Sequence, residues 1–199
     1  MQQSEPTEPQ IGLKLRQIRK SRKMTLEDLA DQTGFTKSYL SKIENSKKTP
    51  PIGSLAKICG ALDTEIAELF NEGDEGARPA FSGKRYCVVR AEERHTVVRG
   101  GTSFGYDYKS LAHRLPHKHM DPFLFTFPER LGTEIQFEHE GEEFIFIISG
   151  RVRFFLDGEE LILEPGDSVY FDSTLRHRGE AVSGEAKALV VVYSPGRRG

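Results

Sequence analysis

The hydrophobic periodicity of the sequence changes once, at residues 71–80, and this change constrains the fold more than any other feature. Before it, apolar residues recur at the spacing of amphipathic helices, beginning with Ile11, Leu15 and Ile18. After it, β-branched and aromatic runs alternate with Gly and Pro about every 8–12 residues, and 11 of the 13 Phe residues lie there. The segment NEGDEGARPA between the halves has the composition of a linker. The sequence therefore predicts an α + β protein with two domains.

The helical half, residues 11–70, is expected to form five short helices. Thr25, Thr36 and Thr64 stand where N-caps belong, because a threonine hydroxyl accepts a hydrogen bond from the first free amides of a helix. Within residues 10–50 there are ten Lys/Arg and four Asp/Glu, although the whole chain has a net charge of −2. This excess favours a surface that faces a polyanion, and the alternative is an ordinary solvated helical face.

The second half, residues 81–194, predicts an antiparallel β-sandwich or small barrel, since no long helical pattern interrupts its strand-like runs. Asp157-Gly158 between two of the runs favours a hairpin turn. Residues 1–10 and 195–199 are expected to be tails. The runs that predict strands are 123–127, 135–137, 144–148, 152–156, 161–163, 168–171 and 188–193.

Composition excludes several classes of protein. The longest apolar runs, 144–148 and 188–193, are far shorter than the roughly 20 residues that span a bilayer. Residues 1–10 have neither the basic start nor the apolar stretch of a secretory signal. The two cysteines, Cys59 and Cys87, fit neither a disulfide framework nor a zinc site. We therefore expect a cytoplasmic protein without a membrane partner.

The stretch TLEDLADQTGFTKSYLSKIENSKKTP resembles the helix-turn-helix of the XRE family of phage-repressor-like regulators, and the resemblance extends over residues 11–70. On a helix starting at Thr36, polar side chains share one face while Leu40 and Ile43 point into the core. Such a face is what the major groove of DNA admits. The residues expected to bind double-stranded DNA are Thr25, Thr36, Lys37, Ser38, Ser41, Lys42, Asn45, Lys47 and Lys48.

The helix that starts at Thr36 is called the recognition helix below, and the residues around it have further expected roles. Lys47 and Lys48 lie just beyond it and suit phosphate contacts, which position a protein without reading sequence. The resemblance implies that Arg19 pairs with Glu44 and ties the first helix to the recognition helix. The alternative is a helical bundle used for dimerisation, in which DNA binding has been lost.

Two segments of the second half, HEGEEFIFIISG and LEPGDSVYFDSTLRH, resemble the motifs of cupins, jelly-roll barrels, over about residues 81–194. The usual cupin set is a His-x-His pair, a Glu and a third His. His139, Glu143 and His177 match three of these positions, and Phe137 stands at the first. The resemblance implies a two-His, one-carboxylate site for a divalent metal such as Zn, Fe, Mn or Ni. The alternative is a vestigial motif in a pocket without metal.

A small-molecule effector pocket is expected beside this triad. Tyr106 and Tyr108 share one face of a predicted strand, where they serve either as barrel packing or as pocket hydroxyls. His117 and His119 precede Asp121-Pro122, a loop signature, so the sequence places them in a surface loop, with His119 as the alternative replacement for the missing ligand. The expected pocket residues are Tyr106, Tyr108, Phe125, Phe137 and Ile145.

These features predict a sequence-specific transcriptional regulator, not an enzyme, whose cupin domain binds a small-molecule effector. Because one helix-turn-helix reads only a few base pairs, we expect a homodimer on a pseudo-palindromic operator, with most of its interface in residues 81–194. The alternative is an enzyme, because the layout and the triad also resemble the mononuclear iron 2-hydroxypropylphosphonate epoxidase. That resemblance implies substrate contacts at Lys23, Tyr106 and Tyr108.

Overall fold

The α-helices and the strands occupy separate parts of the chain, as the change in periodicity predicts, and a short 3-10 helix, Ala91–Glu93, precedes the first strand. The computed structural model describes residues 11–45, 50, 52–64, 66, 69, 85–96, 106–115, 118–129 and 136–193. The α-helices are α1 (Ile11–Ser21), α2 (Leu26–Thr33), α3 (Lys37–Asn45) and α4 (Ile52–Ala61). The strands are β1 (His95–Thr96), β2 (Asp107–Ser110), β3 (Met120–Phe127), β4 (Glu142–Ser149), β5 (Val152–Leu156), β6 (Glu159–Leu163), β7 (Ser168–Asp172), β8 (His177–Ala181) and β9 (Ala186–Tyr193).

Local capping starts and ends α2 and starts α3. The Thr25 hydroxyl accepts a hydrogen bond from the Asp28 amide at 3.1 Å, and the Asp28 carboxylate accepts one from the Thr25 amide at 2.7 Å. Gly34 ends α2 with a φ of 67°, a left-handed conformation that favours glycine. The Thr36 hydroxyl then accepts from the Tyr39 amide at 3.2 Å and starts α3. The predicted caps at Thr25 and Thr36 are therefore confirmed.

The prediction of five helices was wrong by one. In the described part of the chain α4 ends at Ala61, and Asp63 takes a positive φ of 42°, which interrupts the helical path. Of the stretch expected to form the fifth helix, Thr64, Ile66 and Leu69 are described, and all three are buried. Residues 64–70 amount to about two helical turns. An isolated helix of that length is not stable by itself, and the burial of Thr64, Ile66 and Leu69 indicates that tertiary packing holds these three residues.

The strands form two packed antiparallel sheets, which confirms the predicted cupin-type β-sandwich. One sheet has the order β1-β2-β3-β9-β4-β7 and the other β6-β5-β8. Phe154 of the small sheet packs on Phe171 of the large one, with ring centroids 5.5 Å apart. The hairpin between β5 and β6 turns at Asp157 and Gly158, which both have positive φ, as predicted.

The interpretation of Asp121-Pro122 as a loop was wrong, because both residues belong to β3. Proline is tolerated there because β2 ends at Ser110, opposite Phe123, so Pro122 lies where β9 is the strand paired with β3. Asp121 is buried and forms an ion pair with Lys118 at 3.2 Å. Among the described residues, no helix combines the length and the apolar character needed to cross a membrane.

Candidate DNA-binding surface and ligand pocket

An open concave surface on the helical half collects the expected DNA-reading side chains. Leu40 and Ile43, on the opposite face of α3, are 1% and 5% exposed, so burial of these two residues turns the polar face outward. The residues that line the concave surface are Leu26, Lys37, Ser38, Ser41, Lys42 and Asn45. The structure thus brings together five of the nine residues named from the sequence.

The other expected DNA-binding residues have different positions. The hydroxyls of Thr25 and Thr36 serve as helix caps and orient the amides of α2 and α3. Lys47 and Lys48 lie outside the described residues. Within the concave surface, Lys37 forms an exposed ion pair with Glu27, a contact that the sequence analysis did not anticipate.

A buried ion pair holds the recognition helix against α1, as the family resemblance implies. The guanidinium of Arg19 donates to both carboxylate oxygens of Glu44, at 2.6 and 2.9 Å, and to the Met24 carbonyl at 2.7 Å. The hydrogen bond with Glu44 raises the pKa of Arg19 above its usual value. Because α3 carries the polar surface, this pair fixes the orientation of that surface relative to α1.

The three cupin-motif residues meet in the interior of the sandwich. His139 precedes β4, Glu143 lies on β4 and His177 begins β8. Nε2 of His139 is 2.6 Å from Oε1 of Glu143, and Nε2 of His177 is 3.6 Å from the same oxygen. The three donor atoms lie within 4.8 Å of one another, and all three residues are buried. The predicted triad is therefore assembled.

The second nitrogen of each histidine ring is held by a backbone carbonyl. Nδ1 of His139 lies 3.1 Å from the Glu140 oxygen, and Nδ1 of His177 lies 2.8 Å from the Leu175 oxygen. Because a carbonyl oxygen only accepts, each Nδ1 carries a hydrogen. An Nδ1–H donated to a backbone carbonyl is typical of metal-ligating histidines. It leaves Nε2 of both rings facing Glu143. The donor set therefore fits a divalent metal ion.

The protonation of the triad follows from its burial and its hydrogen bonds. Burial alone would raise the pKa of Glu143, but the hydrogen bond with His139 and the His177 imidazole 3.6 Å away outweigh it and lower that pKa to about 2. Burial alone would lower the pKa of His139, and its hydrogen bond with Glu143 raises it instead.

A small cavity adjoins the triad, and its walls are mostly aromatic. The volume of this cavity is about 30 Å³. All five expected pocket residues contribute to the wall, together with residues that the sequence analysis missed. The lining consists of Ile52, Tyr106, Tyr108, Phe125, Phe127, Phe137, Glu143, Ile145, Phe154, His177, Arg178, Gly179 and Val190.

The two tyrosines of the cavity are packing residues with satisfied hydroxyls. The Tyr106 hydroxyl donates to the Gly179 carbonyl at 2.6 Å, and the Tyr108 hydroxyl donates to the Pro50 carbonyl at 3.2 Å. Burial raises the pKa of both phenols, so both stay protonated. Of the two readings left open by the sequence, barrel packing describes both side chains.

Other residues considered from the sequence lie away from the cavity. His119 is exposed and does not replace the missing ligand, and His117 lies outside the described residues. Lys23 is exposed in the turn after α1, with a φ of 58°, and does not line the cavity of its own chain. Pro50 and Ile52, in contrast, reach the cavity from the helical half, and no local sequence signal predicts this.

Comparison with known proteins supports the assignment of both domains. A helix-turn-helix family model matches residues 15–69, and a cupin domain model matches residues 123–193. The HTH-type transcriptional regulator PuuR of Escherichia coli strain K12 is 21% identical over 92% of this chain and 94% of its own length. A crystal structure of an HTH_3 family transcriptional regulator from Vibrio cholerae has a TM-score of 0.62 at 22% identity, covering 95% of this chain and 97% of its own.

The fold and these matches define a DNA-binding transcriptional regulator with a cupin domain. The chain combines a helix-turn-helix domain with a cupin domain, and over most of its length it is similar to HTH-type transcriptional regulators. The hydroxypropylphosphonic acid epoxidase of S. wedmorenis is also similar, at 21% identity over 96% of this chain and 100% of its own, with a TM-score of 0.44. A likeness at that level carries no functional argument.

Proposed function

We propose that this regulator binds a specific DNA operator through α2 and α3, and that a small-molecule effector bound in its cupin domain changes the operator affinity. The domains would be residues 11–70 and 81–194, and the protein would act in the cytoplasm. The observation that carries the proposal is the concave surface with Lys37, Ser41 and Lys42 on a helix held by Arg19 and Glu44. Such a helix matches the dimensions and the donor and acceptor groups of a major groove.

The effector site proposed is the triad and the adjoining cavity. A divalent ion held by His139, Glu143 and His177 would retain a net charge of +1 and open coordination positions. An anionic or hydroxyl-bearing ligand would then bind at the ion, and the aromatic wall would contact the apolar part of the same ligand. The backbone bonds at Nδ1 of both histidines support the metal-bound form.

A homodimer is proposed because the large sheet has an apolar outer face. Phe146 and Ile148 of β4 and Tyr170 of β7 are 38%, 48% and 64% exposed. Phe146 pairs with Leu189 of β9, so the apolar surface continues across neighbouring strands. Burial of this face between two copies would place two recognition helices on the half-sites of a pseudo-palindrome.

The alternative proposal is an iron-dependent oxidoreductase, and the buried two-His, one-carboxylate set is the observation that favours it. Oxygen consumption after anaerobic loading with Fe(II) tests this alternative. An enzyme would consume oxygen in proportion to its iron content in the presence of a substrate, whereas a sensor would not turn over.

Selection of genomic DNA fragments by the purified protein tests the main proposal. We expect enrichment of fragments that share a two-fold symmetric sequence, and a binding constant that falls steeply with salt concentration. A Ser41→Ala, Lys42→Ala double variant should lose the enrichment while it keeps its fold. Operator binding would be refuted if the native protein enriched no particular fragment.

A further inference from the structure

The amino-terminal end of α4 lies directly on the cupin cavity. Ile52 forms part of the cavity wall, and the Pro50 carbonyl accepts the hydrogen bond of the buried Tyr108 hydroxyl. A Cβ built on Gly53 would lie 2.5 Å from Cδ2 of His139 and 3.2 Å from its Nε2. The lid, as we call Pro50, Ile52 and Gly53, therefore touches the triad itself.

The contact at Gly53 is tight because the facing ring cannot easily move. His139 is held at both nitrogens, by the Glu140 carbonyl and by the Glu143 carboxylate. Glycine is the residue that permits α4 to approach this ring so closely. A larger residue at position 53 would have to push either the helix or the ring away.

The cavity under the lid is too small for an organic effector. Its volume of about 30 Å³ holds about two to three water molecules, at roughly 10–15 Å³ each. Pockets for drug-sized ligands measure about 300–1,000 Å³. Water-sized species fit beneath the lid, whereas a ligand with an apolar body needs the space that Ile52 fills.

Movement of the lid would move the DNA-binding surface. Leu55, Ile58 and Cys59 of α4 are at most 1% exposed, so the helix is packed into the core of the helical half. The hydroxyls of Ser54, next to the lid, and Tyr39 of α3 lie 3.0 Å apart. Because α3 and α4 belong to one packed core, α4 cannot leave the cavity without carrying the recognition helix with it.

We propose that the lid and an organic effector compete for the same space, so that effector binding undocks the helix-turn-helix domain from the cupin domain. This inference rests on the proposed function, since it concerns the regulation of the same pocket. An effector that fits only the undocked form shifts the population toward it. In a dimer, undocking changes the spacing and orientation of the two recognition helices, and the operator affinity changes with them.

Two alanine variants of one helix test the lid. Gly53→Ala adds a methyl group against His139, whereas Gly60→Ala, also in α4, adds it where nothing lies within 4 Å. Both changes raise helix propensity, so they differ mainly in the clash at the lid. The readout is modification of His139 by diethyl pyrocarbonate in metal-free protein, quantified by mass spectrometry relative to the exposed His119 of the same chain.

We expect the ratio of His139 to His119 modification to rise at least fivefold in Gly53→Ala and to stay at the native value in Gly60→Ala. A ratio in Gly53→Ala equal to that in Gly60→Ala would overturn the lid. Tyr108→Phe removes the hydrogen bond to Pro50 without adding volume. It should raise the ratio in the same direction, and an unchanged ratio there would mean that Gly53→Ala displaces the His139 ring rather than the lid, which also overturns the proposal.

Operator binding by the same variants tests the coupling. Gly53→Ala should change the operator affinity at least fivefold relative to Gly60→Ala, because it mimics the effector-bound form. The coupling would be overturned if both variants fold, His139 is accessible in Gly53→Ala, and the two variants still bind the operator with equal affinity. If the native protein binds no specific DNA, the proposed function fails, while the modification ratio still decides whether the lid closes the cavity.

Discussion

Arg19 and Glu44 form a two-pronged ion pair between α1 and α3, with N–O distances of 2.6 and 2.9 Å and side-chain exposures of 8% and 5%. Both charged groups are largely removed from water, and each one neutralises the charge of the other. The pair joins the helix that reads DNA to the helix that begins the domain. The domain's stability and the orientation of its DNA-binding surface therefore depend on one contact.

Removal of one partner of this pair should be strongly destabilising. Arg19→Ala leaves the Glu44 carboxylate buried without its cation, at a cost of about 3–5 kcal/mol in the free energy of unfolding. The control is Arg22→Ala, one turn further along, where the ion pair with Asp63 is at 3.5 Å and its side chains are 37% and 77% exposed. That change should cost about 0–1 kcal/mol. Urea denaturation followed by circular dichroism measures both, and equal losses would contradict the role of burial.

Lys42→Ala should weaken specific operator binding by about 1–3 kcal/mol if the lysine reads a base edge. Lys37→Ala should have a smaller effect, because Lys37 exchanges an existing ion pair with Glu27 for its DNA contact. Fluorescence anisotropy with operator and scrambled duplexes measures the difference. Arg151→Ala removes the same charge from an exposed site of the cupin domain and serves as the control. An operator affinity in Lys42→Ala that matches this control would refute the assignment.

The sequence predicted the parts of the molecule in which local pattern and tertiary structure agree. Thr25 and Thr36 cap helices because capping is a local interaction. His139 and Glu143 are only four residues apart, and their side chains meet where the chain enters β4. Asp121-Pro122 was misread because only the end of the neighbouring strand makes a proline tolerable in β3.

The lid was not predictable from the sequence for a related reason. Pro50 and Tyr108 are 58 residues apart, and their hydrogen bond depends on how two separate domains pack. No periodicity within either half encodes that contact. Five residues of the cavity lining were predicted. Phe127, Phe154 and Val190 of the strands were missed, as was Ile52, which comes from the other half of the chain.

Loss of one triad residue should remove most of the bound metal. His177→Ala leaves two protein ligands, His139 and Glu143, and its metal content after reloading with Zn(II), Fe(II) or Mn(II) should fall at least tenfold. His119→Ala, at an exposed histidine, should keep the native content. Elemental analysis of protein purified without chelator measures all three. Equal content in both variants, or no metal in the native protein after reloading, would mean that the triad is vestigial.

Phe137→His should restore the missing cupin ligand and tighten metal binding. Phe137 lines the cavity, and its backbone is bonded to that of His177 in both directions, at 2.8 and 3.0 Å. A histidine at this position would add an imidazole beside the other two, and we expect at least a tenfold lower Kd for Zn(II) by isothermal titration calorimetry. Phe137→Leu keeps the site apolar and is the control. An affinity in Phe137→His no tighter than in this control would show that position 137 does not face the ion.

Two isoleucines with equal exposure test the dimer interface. Ile148 lies on the apolar outer face of the large sheet and Ile162 on the small sheet, and each is 48% exposed. Burial of a new carboxylate in an apolar interface is costly unless it is paired, so Ile148→Glu should dissociate the dimer at micromolar concentration. Ile162→Glu introduces the same charge outside the interface and should leave the dimer intact. Sedimentation equilibrium measures the association constants, and a monomeric native protein, or two variants that remain equally dimeric, would refute an interface on this face.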